Sequence, residues 1–327
     1  MSETIKRKIT GIGSALVDLL VDETDQFLKS IGKKKGGMTL VDDGREIEDI
    51  LEKTCNKPTV VPGGAACNTI MGIAKLGGDA EFIGMRGNDR YGDTYEKQLK
   101  QNNVDSHFFL SDISTGKVLS IITGDAERSM ITYLGASAHL EPAKITQDMF
   151  KDTKIAVIEG YLLFNRELMM AALKAAKEAQ ALIALDLASF EVVESSKDIL
   201  QDIIFHYVDI LIANEDEAKA FTSFRDIAKS LEKMSQNTDY AVIKVGEKGS
   251  FISHGGNIHR INPMEAANVI DTTGAGDLWA AGFLFGLANG YSIEKSGQIA
   301  SACGYEVVQV MGAQISDKGW QRIKKLL

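Results

Sequence analysis

The chain has 327 residues, 44% of them apolar and 25% charged, with a formal net charge of −9. That suffices for one large or two smaller domains with a sizeable core, and the acidic balance argues against a general polyanion-binding role. Cys55, Cys67 and Cys303 are too widely spaced for a disulfide framework or a zinc site.

The start, Met1 to Lys8, is polar and has no apolar signal core, and no apolar run approaches the ~20 residues of a spanning helix. A soluble, cytoplasmic protein with neither membrane nor nucleic-acid partners is expected. Ile9-Thr10-Gly11-Ile12-Gly13 predicts a strand and a turn. The turn invites a dinucleotide-fold reading, but Leu16 stands where the third glycine belongs, so that reading is rejected. A phosphate-loop run ending in Gly-Lys-Ser/Thr is also missing. Asp18 is a lone acid in Ala15-Leu16-Val17-Asp18-Leu19-Leu20. It reads either as a partly exposed strand residue or as a carboxylate that grips a pair of sugar hydroxyls. Lys33-Lys34-Lys35 reads as a solvated loop rather than a phosphate patch.

Val60-Val61-Pro62-Gly63-Gly64 leads into a predicted helix from Ala65 to Leu76. The glycines allow a ligand close to the backbone, and Asn68 lies one turn in, facing the same opening. A plain turn and cap accounts for the pattern as well. Lys117 to Thr123 and Ser129 to Tyr133 form a predicted strand pair around Gly124-Asp125-Ala126-Glu127, either a flap over a crevice or an edge hairpin.

After residue 150 the order is regular. Predicted strands Ile155–Ile158, Leu182–Leu185, Val208–Ala213 and Tyr240–Val245 are separated by helical stretches at Glu167–Gln180, about Ser195–Phe205, Glu215–Phe221 and Arg225–Met234. This alternation predicts an α/β protein with a mostly parallel sheet wrapped by helices. Polar residues fall just after these strands: Glu159-Gly160, Asp186, Asn214 and Gly246. Ligands of open parallel sheets sit at the carboxyl ends of strands, so these positions suit one shared crevice, although each also suits a turn. Asn214-Glu215-Asp216-Glu217 reads as an N-cap with acids in the first turn, or as a place for Glu217 beside hydrated Mg²⁺.

The strongest signal is Asp271-Thr272-Thr273-Gly274-Ala275-Gly276-Asp277, followed by the nearly all-apolar Leu278 to Leu287. Such a helix is expected to be buried. Gly274, Ala275 and Gly276 leave backbone N–H groups bare at its start, which makes an anion site, and Asp277 stands beside them as a potential base. A base beside an anion hole is what phosphoryl transfer to an alcohol requires.

These residues resemble the PfkB/ribokinase family of carbohydrate and nucleoside kinases. Asp271 to Gly282 is similar to the family's C-terminal signature, Gly63 to Gly78 to its Gly-Gly signature, and Asn214 to Glu217 to its Asn-x-x-Glu element. The resemblance implies a ribokinase-like fold: a mostly parallel central sheet with helices on both faces, plus a small β lid from about residues 14–45 and 107–133. It implies that ATP donates its γ-phosphoryl group to a hydroxymethyl oxygen, with Asp277 as general base and Gly274, Ala275 and Gly276 holding the transferring group. Asp18, Gly63, Gly64 and Asn68 would hold the acceptor's hydroxyls. Asn214 and Glu217 would organise phosphates and Mg²⁺, and Lys244-Val245-Gly246 would line the ATP site. A monovalent cation and either a monomer or a homodimer are compatible with the family. Gly13 to Asp18, Ile122 to Asp125 and Val208 to Glu215 resemble adenosine kinases more than sugar kinases. In that comparison Arg128 reaches the phosphates on lid closure. The expected activity is therefore an ATP-dependent nucleoside kinase, adenosine first, with a ribokinase- or fructokinase-like sugar kinase as the alternative. A non-catalytic binder or regulator would have no use for the base at Asp277.

Overall fold

The computed structural model of the chain describes residues 7–125, 127–264 and 269–327. The first six residues of the polar start, Ala126 of the Gly124-Asp125-Ala126-Glu127 stretch and residues 265–268 lie outside the described residues.

Fourteen strands are described: β1 (Lys8–Ile12), β2 (Leu16–Asp22), β3 (Gly37–Leu40), β4 (Thr59–Gly63), β5 (Ala80–Gly87), β6 (Asp105–Ser111), β7 (Gly116–Ile122), β8 (Arg128–Tyr133), β9 (Thr153–Glu159), β10 (Leu182–Asp186), β11 (Ile210–Asn214), β12 (Tyr240–Lys244), β13 (Ser250–His254) and β14 (Asn257–Ile261). Among the described residues they build a nine-stranded sheet, in the order β14-β13-β12-β11-β10-β9-β1-β5-β6, and a five-stranded sheet, in the order β3-β8-β7-β2-β4. In the large sheet every pair from β6 to β12 is parallel, and β13 and β14 close one edge as an antiparallel hairpin.

Alternation of side chains along each strand divides the core into two layers. Ile155 and Val157 join the cluster that packs with the helices Ala65–Leu76, Ala275–Ala288 and Ile293–Val307. Ala156 and Ile158 face the opposite cluster, with the helices Arg166–Glu178 and Lys197–Tyr207. A fully buried aliphatic side chain contributes about 1.5–3 kcal/mol, so a strand buried on both faces stabilises both layers. The 275–288 helix is apolar all round, and residues 278 to 286 are buried without interruption, as its composition implies.

Local rules place the helix starts. Asp89 accepts from the N–H groups of Tyr91 and Gly92 at 3.0 and 2.9 Å, and Asn165 accepts from that of Leu168 at 3.1 Å. The single helix expected near Ser195 to Phe205 is two, Phe190–Ser195 and Lys197–Tyr207. They break at Ser196, whose φ of −118° and ψ of 10° are not helical.

The small sheet differs from the ranges expected for a lid. It takes in Thr59–Gly63, because β4 pairs antiparallel with β2, Leu16 facing Gly63 and Asp18 facing Val61. Residues 107–111 belong instead to β6 of the large sheet. The physical reason is aromatic packing: the Phe108 ring lies 6.0 Å from Phe82 and 5.7 Å from Tyr95, both buried on the large sheet's side. The expected pair around residue 125 is the β7–β8 hairpin. Among the described residues the chain passes between the sheets four times: from β1 to β2 at Gly13–Ala15, from β4 to β5 through Gly64 and the 65–76 helix, from β6 to β7, and from β8 to β9; the first crossing leaves from the carboxyl end of β1.

Candidate active site

The turn before the 275–288 helix forms the floor. Gly274 caps the helix with φ +71°, a left-handed conformation that suits glycine. The Asp271 carboxylate braces the turn, accepting from the Thr273 N–H at 2.9 Å, the Thr273 hydroxyl at 2.7 Å and the Gly312 N–H at 2.8 Å. Burial alone would raise this carboxyl, but these donors hold it below the usual carboxylate range. One expected donor is already engaged: the Ala275 N–H bends back to the Thr272 carbonyl at 3.1 Å. An anion on this turn therefore relies on the amides around Ala275 rather than on all three.

Asp277 follows in the first helical turn, half-buried. Its Oδ2 accepts from the Asn68 side-chain amide at 2.9 Å, and its carbonyl accepts from the Thr69 hydroxyl at 3.1 Å. Desolvation pushes its carboxyl up to about 7; the Asn68 bond and Lys244 pull down, while Asp186 and Glu159 push up. Glu159, buried at the end of β9, accepts from the N–H groups of Ala66 at 3.1 Å and Ser14 at 3.4 Å. It thereby fixes the start of the 65–76 helix, one turn before Asn68.

The small sheet supplies the opposing wall. Asp18 is only 7% exposed, so it is not the partly exposed strand residue that was one reading of it. Burial pushes its carboxyl up to about 6, against the pull of Arg128. Gly63 makes room for it: a Cβ there would fall 2.5 Å from Asp18 Cγ. Gly64 adopts φ +93°, and a Cβ there would fall 2.3 Å from the Ser14 carbonyl oxygen. Arg128 donates to the Ser120 hydroxyl through Nε at 2.9 Å and a terminal nitrogen at 2.6 Å, and its other terminal nitrogen donates to the Thr273 hydroxyl. The arginine thus already bridges the small sheet and the anion turn.

On the other side of Asp277, Asn214 and Glu217 form a reciprocal capping box. Asn214 Oδ1 accepts from the Glu217 N–H at 2.9 Å, and the Asn214 N–H donates to Glu217 Oε2 at 2.8 Å. The Asn214 amide also donates to Glu217 Oε1 at 2.6 Å. Burial pushes the Glu217 carboxyl up to about 7, with Asp186 adding to the effect. Both Glu217 oxygens already accept a bond, which suits contact with a water of a hydrated ion more than direct ligation. Among the described residues no group of three His, Cys, Asp or Glu side chains could by itself hold a metal. Lys244 Nζ is bonded to Asp186 Oδ2 at 2.8 Å. Gly246 follows in a turn with φ +56° and open space where a Cβ would stand.

The structure thus brings Asp18 against Gly63, Asn68 to Asp277 and Arg128 to Thr273, while Asp277 and Glu217 both act electrostatically on Lys244. The sequence gives no individual role to Asp271, Thr69, Ser120, Thr273, Glu159 or Asp186: Glu159 and Asp186 carry only their place after a strand, Asp271, Thr273 and Thr69 only their place inside the two signatures, and Ser120 no signal of its own.

The model of the pfkB family of carbohydrate kinases matches residues 25–319. The chain belongs to this family. It is 28% identical over 307 residues to an adenosine kinase of Saccharomyces cerevisiae, covering 87% of this chain and 90% of the relative. A solved structure described as a probable sugar kinase from Rhizobium etli CFN 42 superposes with a TM-score of 0.89 at 28% identity, covering 99% of this chain and 100% of that one. The adenosine kinase from Sinorhizobium meliloti superposes with a TM-score of 0.87 at 29% identity, covering 98% and 100%. This pfkB kinase therefore has the ribokinase-like fold and is a phosphotransferase with an alcohol group as acceptor, a nucleoside or carbohydrate kinase. ATP use follows from family membership. Among the described residues no helix is long and apolar enough to cross a membrane.

Proposed function

We propose that this kinase transfers the γ-phosphoryl group of ATP to the hydroxymethyl group of a ribose-containing nucleoside, adenosine first. The observation that carries the reading is the Asp277 carboxyl, raised to about 7 at a helix mouth, held by the Asn68 amide beside the Gly274 turn. A base whose pKa lies near the working pH is well matched to accepting the hydroxyl proton. As the acceptor oxygen forms its bond to phosphorus, the bond from phosphorus to the bridging oxygen breaks and ADP departs. The proton passes to Asp277 Oδ, and backbone amides of the turn stabilise the charge on the transferring group. Asp18, on bare Gly63, is suited to accept from two neighbouring hydroxyls, as a ribose 2′,3′-diol would supply. The small sheet acts as the lid that keeps water from competing as acceptor. Mg²⁺ would neutralise charge on the phosphates when bound; Glu217, through water, is the residue suited to orient it.

The likeness to adenosine kinases favours a nucleoside acceptor. A free sugar is the second reading, favoured by the probable sugar kinase from Rhizobium etli. Incubation with MgATP and a panel of nucleosides and sugars, with ADP measured, tests both. Adenosine-dependent ADP supports the first; turnover with ribose or fructose alone replaces it with the second.

A further inference from the structure

Lys244 stands at the carboxyl end of β12 and reaches across β11 to Asp186 at the end of β10. Its ammonium also rests on the anion turn: Nζ lies 2.9 Å from where a Cβ on Gly276 would stand. A side chain at 276 would push the ammonium away, so this contact exists only because residue 276 is bare. An ammonium carries three donors. Among the described residues its one hydrogen-bond partner is Asp186, at 2.8 Å. That leaves two N–H groups for something other than protein, on a side chain only 14% exposed. Burial opposes its charge, yet Asp186, Glu217 and Asp277 together hold the ammonium above its ordinary range, so it stays protonated. A purely structural ion pair would need Asp186 alone and would gain nothing from lying against Gly276.

We propose that Lys244 is a catalytic residue that donates to the phosphoryl group in transfer at Gly276, and that Asp186 is the positioning residue that aims it. The inference rests on the kinase reading above and names a further group in it. Lys244 keeps its proton throughout; the hydroxyl proton goes to Asp277, and the breaking bond leaves with ADP. The ammonium offsets the repulsion between three neighbouring carboxylates and an incoming polyphosphate, and it strengthens as charge spreads over the transferring oxygens.

The test compares wild type, Lys244→Met, Asp186→Asn and the double variant in steady-state turnover of adenosine and ribose with MgATP, together with thermal unfolding. Loss of one preorganised donor lowers kcat by ~10²–10³-fold, so Lys244→Met should fall by about that factor with the acceptor KM within about threefold. Asp186→Asn should fall by roughly tenfold, since the ammonium remains but is poorly aimed. The double variant should match Lys244→Met in kcat, because Asp186 acts only through Lys244. It should unfold at a higher temperature than Lys244→Met, because no carboxylate is left unpaired. Lys244→Met with near-wild-type kcat, or a double variant that regains turnover along with stability, overturns the inference while leaving the kinase reading intact. A wild type inactive with every nucleoside and sugar overturns that reading, and this inference with it.

Discussion

Asp277 on the floor and Asp18 on the cover of the candidate site are both raised by burial, but they are balanced in opposite ways. On the floor, Asp277 is answered by a neutral amide, Asn68, with the Lys244 cation nearby and two further acids, Asp186 and Glu159, pressing it upward. On the cover, Asp18 is answered by the Arg128 guanidinium, which is itself tied to the floor through Thr273. A buried carboxyl held by a neutral amide is suited to exchange a proton, whereas one facing a guanidinium is suited to stay charged and accept hydrogen bonds. The contrast supports the proposed division of chemistry to the floor and recognition to the cover.

The sharpest way to break that contrast is Asp277→Asn. Turnover should drop by about 10²–10⁴-fold, the range of a positioned base, while calorimetric ADP binding persists. Near-normal turnover would remove Asp277 from the chemistry. Asp18→Ala should raise the acceptor KM about 10–100-fold, the loss of hydrogen bonds to a charged group, and leave the ATP KM within about twofold. Equal effects on both substrates would refute the division between floor and cover.

The raised carboxyls also set pH behaviour. In wild type, kcat/KM should rise as pH passes upward through about 7, where Asp277 loses its proton. Stability should run the other way. A carboxyl whose folded pKa exceeds its unfolded value binds more protons when folded, so the stability it lends is complete at low pH and is lost as pH climbs to about 7. The unfolding temperature of the ligand-free protein should therefore fall between about pH 5 and about pH 7.5, and fall less in Asp277→Asn. An equal fall in both would place the titration elsewhere. The smallest effect is expected at the crossing between the regions. Gly64→Ala forces a side chain into φ +93° against the Ser14 carbonyl, and should cost about 1–3 kcal/mol by chemical denaturation. A loss below about 0.5 kcal/mol would show that the crossing relaxes freely.

Much of the molecule was legible residue by residue. Alternating strands and helices after residue 150, the 65–76 helix behind two glycines and the buried 275–288 helix all follow from short-range pattern. The site's outline was legible too, because parallel strands deliver their carboxyl ends to one edge. The small sheet was less so: β4 joins it only by pairing with β2, and β6 leaves it for Phe82 and Tyr95, choices decided by distant partners. Lys244 was read as bordering ATP, and nothing local to it announced Asp186 or Gly276.

By itself, then, the sequence determined the elements, the bare turn before Asp277 and the acids at the strand ends, since each depends on neighbours within a few residues. Only the tertiary structure decided that Asn68 meets Asp277 across 209 positions, Arg128 meets Thr273 across 145, and Lys244 meets Asp186 across 58. Those meetings depend on sheet order and on the crossings between the two sheets. Hydrogen bonds act over about 3 Å, so no local pattern along the chain carries them.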